Sequence, residues 1–262
     1  MKSFKCMLAK PLVEKRVVFP CLLSPKLDGI RAVFHKGELY TRNKNVVRGV
    51  DHIKKALEGT GIESLDGELM VPGIPFQTSS GLIRSYNDTP DAVYYVFDIP
   101  QYEALQLGRT LYLQSLFGPV IASNHIQLVP HITADNMDDV SDAYALYRRL
   151  GYEGVMVKNA AGLYTDTRSA AWQKIKASET HDCKVIGFFE GQGRLTGTLG
   201  GLIVDFNEVP VRVGGGFSDF DRDMIWNDQC TYLGSMCEVE AQEVTPDGSM
   251  RHPRFITWRH DL

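Results

Sequence analysis

The sequence contains no C-x-x-C pair, and its five cysteines (Cys6, Cys21, Cys183, Cys230, Cys237) are odd in number and scattered. That pattern excludes a disulfide framework and a cysteine-built zinc site. Free thiols without an export signal point to a reducing, cytoplasmic setting. No apolar run approaches the ~20 residues that span a bilayer, so no membrane partner is expected. The N-terminus carries Lys2 and Lys5 but lacks the apolar core and cleavage site of a signal peptide. Internal repeats and low-complexity tracts are also missing. What remains, 262 residues with 44% hydrophobic and 23% charged, suits one large globular domain or two smaller ones.

Strong charge is lacking too. A net −4 argues against wholesale coating of nucleic acid. The distribution is uneven, however. Residues 1–50 hold eleven Lys/Arg against three Asp/Glu, a net of +8, which leaves −12 for the rest. Either a local basic surface serves an anionic partner, or the two sets interleave in space and cancel.

The stretch Ser24-Pro25-Lys26-Leu27-Asp28-Gly29-Ile30-Arg31 is the most suggestive. It sets one lysine between a proline and an Asp-Gly turn signal, with an arginine five residues on. A turn presents a side chain at the rim of a sheet. A lysine held among other cations loses its proton more readily, and a neutral amine is a nucleophile. The same eight residues also describe an ordinary solvated turn.

Around this stretch, Val17–Leu23 reads as an edge strand interrupted by Pro20. Strands are expected at 30–35, 38–41, 64–71, 92–99, 126–129, 155–158 and 172–176, and helices at 53–57, 102–116 and 138–150. Asp66-Gly67 allows a bulge. Residues 178–182 read as a linker. Beyond them come short glycine-punctuated strands and one helix over 218–227, a pattern that suits a small β-barrel of the oligonucleotide-binding kind. Glu68 and Glu153 each adjoin a glycine, where a carboxylate can hold a magnesium ion or a ribose hydroxyl, or simply face water. Lys174 and Lys176 share a strand face and can neutralise phosphate or protect an exposed edge. Phe97 is core or a base-stacking ring. Arg42 and Arg48 are phosphate ligands or loop charge.

In order, Lys26-x-Asp28-Gly29-x-Arg31, Thr41-Arg42, Asp66-Gly67-Glu68, Tyr95-x-Phe97-Asp98, Glu153-Gly154-Val155-Met156-Val157-Lys158 and Lys174-x-Lys176 resemble the motifs of the covalent nucleotidyltransferases, which include DNA ligases, RNA ligases and capping enzymes. The tail from Thr245 to Phe255 and the segment Val213–Asp219 are similar to those of small ATP-dependent DNA ligases of viruses, phages and bacteria. The resemblance implies an α+β fold: a nucleotidyltransferase domain of antiparallel sheets flanked by helices over 1–178, then an OB-fold β-barrel over 183–262. It implies nick sealing in duplex DNA, with roles in repair, replication and recombination, by a monomer using ATP and Mg2+ (or Mn2+). Lys26 would carry AMP. Ser24, Arg31, Glu68 and Phe97 would hold the nucleotide, with Phe97 on adenine and Arg31 and Glu68 on ribose. Lys174 and Lys176 would contact the α-phosphate. Glu68 and Glu153 would hold the metal, and Arg42, Arg48, Asp66 and Arg168 would face DNA. Arg259 would reach the pyrophosphate. The family's last motif, Arg-x-Asp-Lys, here reads Arg259-His260-Asp261-Leu262. The 25 residues before Lys26 are too few for the extra domain of the NAD-dependent ligases, so ATP is expected. An RNA ligase, a GTP-using capping enzyme and a non-catalytic nucleic-acid-binding module are the alternatives.

Overall fold

A computed structural model describes residues 5–259 except 86, 242 and 246. The chain divides into two compact units, one ending at Lys176 and the next starting at Ala177.

The first unit runs through β1 (Leu8–Pro11), β2 (Cys21–Lys26), β3 (Ile30–His35), β4 (Glu38–Thr41), α1 (Asp51–Leu57), β5 (Ser64–Met70), α2 (Phe76–Arg84), β6 (Val93–Asp98), α3 (Gln106–Leu116), β7 (Ile126–Leu128), β8 (Ile132–Ala134), α4 (Met137–Arg149), β9 (Gly154–Asn159) and β10 (Arg168–Lys176). Two five-stranded sheets result, ordered β1-β10-β9-β2-β8 and β4-β3-β5-β6-β7. Their pairs are antiparallel except β1 with β10 and β6 with β7, which are parallel and depart from the all-antiparallel expectation. Each sheet buries its own core. Ile53 and Leu57 of α1, Ile83 of α2 and Leu113 and Leu116 of α3 pack on the second sheet. Val140, Ala143 and Tyr147 of α4 pack on the first. Helix α4 forms as the sequence dictates: the Asn136 side chain caps the Asp139 amide at 3.0 Å, and Gly151 beyond it adopts φ +85.

Strand β2 is a correction. Pro20 reads as an edge signal, but it precedes the strand, and Cys21–Lys26 lies inside the sheet between β9 and β8. Lys26 accordingly closes a strand instead of riding on a turn. It pairs in register with Gly154 of β9, which pairs on its other side with Lys176 of β10. A Cβ on Gly154 would lie 2.0 Å from the Ile175 carbonyl oxygen. Gly154→Ala should therefore force the strands apart and cost ~1–3 kcal/mol, read from the denaturant midpoint.

The second unit comprises β11 (Glu179–Glu190), β12 (Leu199–Phe206), β13 (Val209–Val213), α5 (Asp219–Asn227), α6 (Gln229–Tyr232), β14 (Met236–Ala241), β15 (Glu243–Val244), β16 (Met250–Arg251) and β17 (Arg254–Trp258). Ser218 and Asp221 form a reciprocal cap on α5. The five main strands order as β13-β12-β11-β14-β17. The expected small barrel is, among the described residues, a five-stranded sheet whose two rims meet at one bridge: the Phe255 amide donates to the Gly215 carbonyl at 2.9 Å. Next to it, Gly216 has φ +99, and a Cβ there would sit 2.0 Å from the Phe255 carbonyl oxygen. The linker reading of 178–182 is also corrected. Glu179, Thr180, His181 and Asp182 are strand residues paired with Ala241, Glu240, Val239 and Glu238, and are polar because Glu179, Thr180 and Asp182 are exposed.

Candidate active site

The facing surface of the first sheet is laid out by period-two alternation on three neighbouring strands. Lys26, Gly154 and Lys176 form one row, Ser24, Met156 and Lys174 the next, and Leu22, Lys158 and Trp172 the third. The second sheet contributes Arg31 and Glu68, paired across β3 and β5, and Phe97 of β6. The anticipated bulge is present: Asp66 pairs with Asp98 and Gly67 with Val96, so Phe97 is left over and its side chain is re-aimed. A cleft of about 210 Å³ lies among Ser24, Lys26, Arg31, Arg42, Glu68, Phe97, Met156, Lys158, Arg168, Trp172 and Lys174.

Because glycine occupies the centre of the first row, the adjoining Glu153 carboxylate reaches both flanking lysines. It pairs with Lys26 through Oε2 and with Lys176 through Oε1. Burial alone would raise the Glu153 pKa; the Lys26 charge and the lysine hydrogen bonds outweigh it and bring the pKa below its ordinary value. Lys26 thus meets a carboxylate directly, where the sequence anticipates neighbouring cations. Lys174 is closer to that picture: burial, then the charges of Lys176 and Lys26, lower its pKa. Glu68 is pushed up to about 7, chiefly by burial, against the pull of Arg31 and Lys26.

Asp66 is a correction. The Arg31 guanidinium makes a two-pronged pair with Asp66, both contacts at 2.5 Å, and donates to the Met7 carbonyl at 3.1 Å. Asp66 also accepts from the Tyr164 hydroxyl at 2.6 Å and has no exposed surface. A carboxylate so enclosed cannot touch DNA, so Asp66 holds Arg31 in place. Arg31 still lines the cleft and lies 4.7 Å from the Phe97 ring centre.

Arg42 lines that cleft and also a second groove of about 740 Å³. Arg31, Arg48 and Arg84 line that groove with Thr41, Asn43 and Asn45, and no acidic side chain contributes. Arg48 therefore faces the neighbouring groove and not the cleft. Arg168 borders the cleft and donates to the Ala9 carbonyl at 2.6 Å. Arg259 belongs to the second unit, where it pairs with Asp182 at 2.8 Å. His260, Asp261 and Leu262 lie outside the described residues.

Of the two carboxylates expected to hold metal, Glu68 lines the cleft and Glu153 stands between two lysines. Both Glu153 oxygens are taken by lysines, and no three His, Cys, Asp or Glu side chains gather among the described residues.

Sequence reasoning missed three side chains. Lys158, 1% exposed, lies 4.6 Å from the Trp172 ring centre; burial lowers its pKa to about 8 although Asp98 and Asp66 oppose that shift. Trp172 donates to Gln106 at 2.7 Å. Arg109 pairs with Asp98 at 2.7 Å, both of them buried. One signal was available: Asp98 inside a strongly apolar strand needs a buried cation.

A family model described as "ATP dependent DNA ligase domain" matches residues 6–176, and one described as "DNA ligase OB-like domain" matches residues 190–259. The DNA ligase of Haemophilus influenzae is 26% identical over 243 residues, covering 91% of this chain and 85% of its own. That of Escherichia phage T7 is 26% identical over 262 residues, covering 74% and 72%. A solved structure described as a "Structure-function analysis of Lig E DNA ligases" superposes with a TM-score of 0.83 at 24% identity, covering 98% of this chain and 100% of that one, a likeness of fold. No helix among the described residues is long and apolar enough to cross a membrane.

Proposed function

Because this chain belongs to the ATP-dependent DNA ligase family, we propose that it seals nicks in duplex DNA, as a monomer, through AMP carried on Lys26. The observation that carries this reading is the row Lys26–Gly154–Lys176 with one carboxylate between its two amines. Glu153 is the nearest acceptor for the proton the Lys26 ammonium must lose. The amine then attacks the α-phosphorus of ATP: a P–N bond forms, and the P–O bond to pyrophosphate breaks. Lys174 and Lys176 meet the charge on the α-phosphate oxygens. A 5′-phosphate oxygen at the nick next displaces Lys26 from phosphorus, and the amine recovers a proton. The 3′-hydroxyl finally attacks that 5′-phosphorus and AMP departs. A bound magnesium ion would supply charge neutralisation on the phosphates. It would enter with the nucleotide, held largely by phosphate oxygens, with Glu68 as the cleft-lining carboxylate able to reach it.

Phe97 offers adenine a flat ring and Met156 a polarisable surface from the opposite sheet. Ser24 lies beside them. Glu68 accepts from the ribose hydroxyls, better as a carboxylate than as an acid. Its folded pKa of about 7 lies above the ordinary 4.5, so the acid form persists as pH rises, until about 7. ATP affinity in the adenylation step should therefore strengthen as pH rises through about 7. Glu68→Gln should weaken binding and flatten that dependence. An unchanged pH profile in the Gln variant would remove Glu68 from the ribose.

Arg42 and Arg168, which line the cleft, take the 5′-phosphate of the nick. The acid-free groove beyond Arg42 suits the strand that carries this phosphate. Arg48→Ala and Arg84→Ala should each lower the salt slope of nick binding by about 1, with little change in Lys26 adenylation. Sealing of all-DNA nicks against DNA/RNA hybrid nicks in one gel assay tests the substrate reading. Exclusive sealing of RNA-containing ends would overturn it.

A further inference from the structure

Behind the Phe97 ring runs a chain of hydrogen bonds that the transfer chemistry does not use. Lys158 donates to the Phe97 carbonyl at 3.1 Å and to His131 Nε2 at 2.9 Å. His131 Nδ1 faces the Val129 carbonyl at 3.0 Å. A carbonyl only accepts, so Nδ1 carries the imidazole proton and Nε2 offers its lone pair to Lys158. Burial, then the Lys158 charge, holds the His131 pKa well below its ordinary value, in keeping with a neutral ring. Val129 closes the circuit: its amide donates to the Val96 carbonyl at 2.8 Å. The chain thus starts at Val96 and returns to Phe97, two adjacent residues of β6.

Its course crosses both sheets. His131 lies between β7 of one sheet and β8 of the other, and Lys158 stands on β9. Phe97 is the bulge residue with no register partner across the ladder, so its position is set from outside the sheet. Lys158 also lies 5.1 Å from the Phe97 ring centre and lines the cleft. An apolar side chain of equal length would fill this space without donating to either partner.

We propose that Lys158 and His131 are positioning residues that brace the Phe97 ring between the sheets and thereby set the affinity for ATP during adenylation. This rests on the reading that adenine stacks on Phe97. The tests are Lys158→Met, His131→Leu and the double variant, each assayed for label transfer from α-labelled ATP to Lys26 across ATP concentrations. Both single variants should raise the ATP KM by about tenfold with kcat within about twofold. The double variant should be no worse than Lys158→Met, because the two act in series. A merely structural role would lower thermal stability and the active fraction while leaving KM in place. Unchanged KM in the folded variants, or effects that add in the double variant, would overturn the brace. Should Lys158→Met fail to fold, the KM of His131→Leu alone decides. A wild-type protein that takes no label overturns the ligation reading itself. A labelled wild type with unmoved variants overturns only the brace.

Discussion

Lys26→Ala protein incubated with α-labelled ATP should carry no label, and sealing of a nicked duplex from ATP should fall by a factor on the order of 10⁶, as when a covalent nucleophile is removed elsewhere. The loss has a specific boundary. In the proposed route Lys26 forms the first bond to phosphorus and is expelled in the second transfer, so it has no bond to make in the third. A nick already bearing AMP on its 5′-phosphate bypasses both earlier steps, and the variant should still close it. Folding should survive, because Lys176 remains on Glu153 and the Lys26 side chain is partly exposed. Label retained by the alanine protein would place the nucleophile elsewhere. Failure on the pre-adenylated nick would give Lys26 a second task that the geometry does not supply.

Asp66→Ala should be among the most damaging carboxylate substitutions for stability, at ~3–5 kcal/mol in denaturant unfolding. Three elements converge on this side chain: Arg31 of β3 through two contacts, the Tyr164 hydroxyl, and through Tyr164 the Met7 amide at 3.1 Å. Alanine leaves the Arg31 guanidinium mostly enclosed without its counter-charge. Adding Arg31→Met to Asp66→Ala should recover part of the loss, since the second change removes the stranded charge. A midpoint shift no larger than that of an exposed aspartate would mean the pair contributes nothing. Nick binding should change only as far as Arg31 moves.

The site was legible wherever one strand carried its own signal. Lys174 and Lys176 share a face by simple alternation, and Asp66-Gly67 does mark a bulge. Partners far apart in sequence were not legible. Asp66 looks like a surface carboxylate until Arg31, 35 positions away, and Tyr164, 98 positions away, are brought to it. Lys158 closes a short apolar strand, and nothing in the sequence pairs it with His131; only the fold brings the two together. Pro20 and residues 179–182 misled for a related reason. Proline bars pairing only at its own position, and polar strand residues are natural where one face meets water. The meeting of the two rims in the second unit depends on one glycine's approach to a carbonyl, a contact with no periodicity to betray it.

The row through Gly154 makes the sheet a ruler. Neighbouring strands lie ~4.8 Å apart, so two strand spacings set the backbone separation of Lys26 and Lys176 at ~10 Å. That span is copied from hydrogen-bond register, not from side-chain length. Inserting a single residue within β9 would turn Met156 and Lys158 to the other face at one stroke, whatever their chemistry. The same insertion in the Lys36-Gly37 hairpin tip, exposed and already at positive φ, would lengthen a loop and nothing more. The number of residues from 154 to 159 thus fixes which side chains face the cleft, before the chemistry of any one of them matters.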